Sequence, residues 1–140
     1  MEKLCVNHSR MPFSVQIDPA RRLVESRWEG IATAEMLVAY VDQVWADAAV
    51  RNYRELIDFR AVTEVQVPTA DLQAFAEYSR QFDNPDVPAR SAVIAATNLV
   101  YGLSRMFSTL RSLDPDDNRE FQVFDDFDAG WRWLEENPAD

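Results

Sequence analysis

Two pairs of polar residues stand where strands of an α/β chain would end: Asp58 and Arg60 after "RELI", and Thr97 and Asn98 after "RSAVIAA". Open α/β sheets bind ligands outside the carboxyl ends of their strands, so these four residues read as a polar rim for a small ligand. Asp58 has a second reading, in which its carboxylate accepts amides of the following loop, or pairs with Arg60 or Arg90, and so fixes that loop. Acid–base work by Asp58 would require a second carboxylate, and Glu64 is the close candidate in sequence. Other chemistries lack their residues. The chain has a single cysteine, Cys5, and a single histidine, His8. That rules out an intramolecular disulfide and a His/Cys zinc site, and leaves His8 as the one base a nucleophilic triad could recruit. The sequence therefore points away from an enzyme and calls for neither cofactor nor metal.

The elements that must position these residues follow from hydrophobic periodicity. "PFSVQID" places Phe13, Val15 and Ile17 on one face and "RLVESRW" places Val24, Ser26 and Trp28 on one face. With "DPAR" between them, residues 12–18 and 22–29 are predicted as an antiparallel hairpin ended by Gly30. Thr33 is a suitable N-cap for a first helix over about 33–49, in which Met36, Leu37, Tyr40, Val41, Val44 and Trp45 recur at helical spacing. "RELIDF" is a short strand that gives way to a loop at Asp58. Pro68 and Thr69 read as a stop-and-cap pair before a second helix over about 69–82. "RSAVIAAT" is a continuous apolar run, as expected for a central strand covered on both faces. Asn98 can cap a third helix that runs to Leu113; then come a strand at "EFQVF" and a terminal helix opened by "DDFD". The predicted fold is α/β, a single domain with a mostly parallel sheet of about five strands, an N-terminal antiparallel hairpin and about four helices. Residues 1–11 read as a flexible tail, and 12–137 as the domain.

Composition narrows the partners. The 140 residues carry a net charge of −10, which argues against nucleic acid, because affinity for phosphate backbones comes from clustered Lys and Arg. The acidity is concentrated: residues 114–140 hold ten acids and two arginines. No apolar run approaches the roughly 20 residues of a membrane-spanning helix, and the first ten residues lack the apolar stretch of a secretory signal. The expected location is the cytoplasm.

The hairpin, the helix, the strand ending in "LIDFRAV", the small-residue strand and the final "FDDFDAGWRWL" together resemble the bacterial SpoIIAA-like family, related to STAS domains and to the Sec14/CRAL-TRIO fold. The resemblance covers nearly all of 12–137. It implies a regulatory or protein-interaction module. STAS-class antagonists of anti-sigma factors carry an Asp followed at a fixed distance by Asp-Ser-Ser-Gly, with a phosphorylated serine at a helix start. Asp58 and Val62 match the beginning of that pattern. Counted on, Gln66, Val67, Pro68 and Thr69 stand where Asp, Ser, Ser and Gly would be. Thr69 is the only hydroxyl left for modification there, and as an N-cap its oxygen would already accept a backbone amide. A phosphoswitch is not expected.

The helix over 98–113, "NLVYGLSRMFSTLRSL", contains no acid. Its seven apolar residues form a stripe about 140° wide, with Ser104, Ser108, Ser112, Arg105 and Arg111 opposite. One reading is core packing. The other, implied by Sec14-like carriers, is a movable cover over an apolar ligand held between helix and sheet, with Tyr101 and Met106 as binding residues and at most transient membrane contact. Trp131 and Trp133 lie two apart, so one packs inward with Leu134, and the other, with Phe127, is available to a second subunit in a homodimer.

Overall fold

The computed structural model describes residues 4–7, 13–83 and 86–136. Among these, six strands form one sheet whose spatial order equals their order in the chain. They are β1 (Leu4–Asn7), β2 (Phe13–Asp18), β3 (Leu23–Thr33), β4 (Arg54–Gln66), β5 (Ala89–Ile94) and β6 (Arg119–Phe124). β1–β2 and β2–β3 pair antiparallel, while β3–β4, β4–β5 and β5–β6 pair parallel. The mostly parallel sheet with an N-terminal hairpin is thus present, with one strand more than expected. That strand, Leu4–Asn7, lies in the segment read from sequence as a tail, and it pairs with Ser14–Ile17.

Four helices cover the sheet: α1 (Ala34–Tyr40), α2 (Thr69–Ser79), α3 (Asn98–Ser112) and α4 (Phe127–Glu136). Because each parallel strand is followed by its immediate neighbour in the sheet, right-handed crossovers put α1, α2 and α3 on one face. A single core there contains Trp28, Tyr40, Val41, Phe75, Val93 and Val100. The opposite face is covered by α4, whose Leu134 packs on Leu56, Ala92 and Ile94. Gly130 is where α4 comes closest, since a Cβ there would lie 2.4 Å from Cδ1 of Ile94. β5 is buried on both faces, as its apolar run requires.

Several boundaries differ from the sequence reading. Gly30 does not end β3: it takes a positive φ of 74° that suits glycine, and the strand continues to Thr33. β4 likewise does not give way at Asp58 but runs on to Gln66, paired with β3 alone beyond residue 58. Two register shifts in this ribbon each insert an extra residue into β4. Thr33 caps α1 as expected, its Oγ1 accepting from Met36 N at 3.3 Å, but the α-helix ends at Tyr40 and continues as a wider π-turn over Val41–Trp45. At α2 the N-cap is Pro68, so Thr69 is the first helical residue rather than the cap.

Candidate functional site

Asp58 and Arg60 sit two apart on β4, hence on the same face. Arg60 grips the carboxylate at both oxygens, with Nε 3.0 Å from Oδ1 and Nη2 2.9 Å from Oδ2, and its backbone amide adds a third bond at 3.0 Å. Arg27 from β3 stands 4.0 Å away. Burial pushes the Asp58 carboxyl up, but the hydrogen bonds and charge of Arg60, with Arg27 behind it, outweigh this and hold it below the usual carboxylate range. The guanidinium of Arg60 in turn lies over Phe127 of α4 at 4.3 Å. Asp58 is a charge-paired acid that ties β4 to its own backbone and, through Arg60, to α4. The pairing with Arg60 is one of the two uses its sequence position suggested; the segment it fixes is strand and not loop.

The other predicted site residues fall elsewhere. Thr97, and not Asn98, is the cap of α3, its Oγ1 accepting from Val100 N at 3.2 Å; Asn98 is the first helical residue and is exposed. Tyr101 packs against the core beneath α1–α3, on the face opposite Asp58 and Arg60. Met106 points outward, 40% exposed. Thr69 is exposed beside Asp71 in the first turn of α2, and that acid opposes a phosphate at the position.

Between the sheet and α1–α3 lies an apolar cavity of about 90 Å3, lined by Trp28, Ile57, Phe59, Val93, Leu103 and Phe107 among others. An apolar cavity of about 150 Å3 accommodates benzene, and drug-sized ligands occupy about 300 Å3 or more. The space is smaller than either.

A polar network escaped the sequence reading altogether. Glu55, buried at the start of β4, accepts from Tyr40 Oη, from Trp45 Nε1 at 2.9 Å and from Ser91 Oγ at 2.6 Å. Arg119 of β6 lies 3.4 Å from it, bonds Ser91 Oγ at 3.1 Å and the Arg51 carbonyl at 2.9 Å, and stacks on Trp45 at 4.3 Å. Asp83 Oδ1 is 4.0 Å from Arg119 Nε, and its Oδ2 accepts from Arg111 at 2.5 Å. Arg111 also reaches Asp117 at 2.8 Å and Ser79 Oγ at 2.9 Å. Burial pushes the Tyr40 phenol up, and the adjacent Glu55 carboxylate pushes it further; burial lowers Arg119, against the charges of Glu55 and Asp83. These groups are enclosed and largely paired with one another, with Asp83 Oδ1, Arg111 Nε and Arg119 Nε left without a hydrogen bond, and together they clamp β4 and β6 to the ends of α2 and α3.

Arg111 has a consequence for α3. Sequence placed it on the outer side, opposite the apolar stripe, yet its side chain is wholly buried. Ser104 and Ser108 are half-buried as well. Turning Arg111 inward rotates the stripe, so that its Val100 edge is buried while Leu99, Met106 and Leu113 are exposed by 58%, 40% and 71%. Half-buried Leu103, which also lines the cavity, and half-buried Leu110 border them on the inner margin, and the five residues form a leucine and methionine seam at alternating spacings of four and three. The same spacing was readable in the sequence; its outward direction was not. By contrast, the aromatics of α4 are covered. Trp131 lies under Arg21 at 4.9 Å, Trp133 under Arg90 at 4.4 Å and Phe127 under Arg60.

Among the described residues no group of acids, cysteines or histidines is arranged to hold a metal, and no helix is long and apolar enough to cross a membrane. No family model matches the chain, and no curated protein matches it. Among solved structures it is similar to an uncharacterised protein of the DUF3478 family with a SpoIIAA-like fold from Shewanella loihica PV-4. Identity is 17%, the match covers 92% of this chain and 98% of that one, and the TM-score is 0.53. It is also matched by SiaC of Pseudomonas aeruginosa, at 16% identity over 88% of this chain and 99% of that one, with a TM-score of 0.41. The first of these likenesses establishes the fold as SpoIIAA-like, in agreement with the resemblance carried by "LIDFRAV" and the C-terminal "FDDFDAGWRWL".

Proposed function

We propose that the chain is a non-enzymatic regulatory module that works by docking a protein through the outward seam of α3. The single observation that carries this reading is the exposure of Leu99, Met106 and Leu113 on one helix face while a buried arginine holds the helix in that rotation. Exposed apolar residues scattered singly are ordinary, whereas a contiguous row on one element marks an interaction surface. Asp58 and Arg60 are paired on one face of the sheet, Tyr101 packs on the other and Met106 points outward, which gives a reaction no common pocket. The small cavity weighs against the alternative of an apolar carrier. Thr69, with Asp71 beside it, is not part of the proposed mechanism.

A photo-cross-linking residue at Leu113 tests this, with one at exposed Gln16 as control. Protein adducts of defined mass, formed at 113 and not at 16, are the expected result. Equal labelling at both positions would sink the reading, as would lipid found in the native mass spectrum of the purified chain.

A further inference from the structure

Resting on that reading, we infer that the partner held by the α3 seam is a second copy of this chain, joined helix to helix about a two-fold axis. Four observations carry the inference.

The first is the order of the seam itself. Leu99, Leu103, Met106, Leu110 and Leu113 read leucine, leucine, methionine, leucine, leucine from either end. Their four-three-four-three spacing is the heptad pattern of helices that pack side by side. A two-fold interface needs a patch that is complementary to itself, and a row with this symmetry supplies one for an antiparallel pair. That arrangement also sets the two helix dipoles head to tail.

The second is charge. The chain carries −10, yet α3 contains no acid, and Arg105 is its one exposed charge. Two copies can therefore meet at α3 without bringing carboxylates from that helix together, unlike the acidic surface formed by residues 114–140.

Gly102 is the third. It lies inside α3, where glycine costs roughly 0.5–1 kcal/mol relative to alanine. Among the described residues nothing explains it: a Cβ there would meet no atom within 4 Å, and its φ is not in the left-handed region. Gly102 borders the seam one turn from Leu99 and Met106, and Thr109 follows seven residues on. Small residues along one margin of a leucine row let the backbone of a neighbouring helix approach closely.

The fourth is the covering of the alternative surface. The α4 aromatics, which the sequence offered as a subunit contact, each lie beneath an arginine. The row on α3 has no such cover over Leu99 or Leu113.

A single pair of four-turn helices lies at the small end of interface sizes, below about 1,200 Å2 in total, where associations are weak and reversible. The test is sedimentation of the full chain across roughly 1 to 300 µM, a span of affinity of about 3 kcal/mol. We expect a monomer–dimer equilibrium for the wild type, and at least tenfold weaker association for Met106→Glu and Leu113→Glu, whose sites are exposed in the monomer. Gly102→Gln separates association from folding: it should raise the thermal midpoint while weakening the dimer. In a Cys5→Ser background, Met106→Cys should be joined to itself by a short bis-maleimide, and Leu99→Cys should not, because in an antiparallel pair the two copies of residue 99 lie far apart.

A wild type that stays monomeric throughout overturns the inference. So does a dimer unaffected by the glutamates, or equal cross-linking at residues 99 and 106. The docking reading fails separately: it stands if the adduct at Leu113 is a different protein, and falls if no protein adduct forms there.

Discussion

Arg111 and Asp83 are joined by a 2.5 Å ion pair that fastens the end of α3 to the segment after α2, and the arginine is wholly buried in making it. A cation so placed is tolerated only when its charge is compensated, here by Asp83 and Asp117 at Nη2, with Ser79 Oγ accepting from Nη1. The pairing sets the rotation of α3 and thereby decides which of its apolar residues face water.

Replacing Arg111 by methionine should remove the counter-charge of Asp117 and leave Asp83 only the more distant Arg119, at 4.0 Å. We expect a loss of about 3–5 kcal/mol, the range for breaking a buried ion pair from one side. Denaturant unfolding measures it, and a change below about 1 kcal/mol would mean that the acids find solvent.

Tyr40 donates to Glu55 from a site with 3% exposure. Tyr40→Phe removes one donor from an enclosed carboxylate, and a cost of about 1–3 kcal/mol follows. The raised phenol also fixes a pH dependence. The folded value lies above the unfolded one, so the stabilisation is complete below about pH 10 and is lost as pH rises through the folded value. An absorbance titration should show Tyr40 ionising last, or only upon unfolding.

For Asp58 the sign is opposite. Its folded value is depressed, so its contribution is present above the unfolded carboxylate value near 4 and disappears as pH falls through the lower folded value. Asp58→Asn should cost about 1–2 kcal/mol at pH 7, with the difference from wild type vanishing in acid. Thermal melts from pH 7 to pH 2 read this directly, and a gap that persists at pH 2 would show that the residue acts through packing rather than charge.

The two helical glycines away from the β3 bulge should respond in opposite directions to alanine. Gly102→Ala meets open space and gains helix propensity, for a rise of about 0.5–1 kcal/mol in the monomer. Gly130→Ala drives a methyl onto Ile94 and Phe124, and overpacking of about 1–3 kcal/mol outweighs the same gain. Paired melting curves settle both.

Much of the architecture was legible because it is local. "DPAR" announces the β2–β3 turn, where Asp18 Oδ1 accepts from Arg21 N and Arg22 takes a positive φ, and "RSAVIAAT" announces a strand buried on both sides. The sequence of residues 59–66 reads as loop because its pairing partners, Glu29–Thr33, are far away in sequence and the two bulges blur any alternation. By propensity Thr69 and Asn98 each suit the cap, yet the preceding residue takes it in both helices, a one-residue difference that propensity alone cannot resolve. The candidate site was least legible. Asp58 and Arg60 could be paired from their spacing on a strand, but Glu55 and Arg119 meet only through the sheet. The facing of α3 depends on acids at 83 and 117 that no helical wheel contains.

The sequential strand order has a consequence for how the chain is made. As translation proceeds, each strand from β2 onward emerges beside a partner already synthesised, so no strand waits for a later one to be held on one edge. The exception is the face under α4: Leu56, Ala92 and Ile94 stay bare until residues 127–136 leave the ribosome. Nascent chains stalled before Phe127 should therefore be the ones that chaperones and proteases seize upon, with the last helix acting as the quality-control checkpoint of the whole domain.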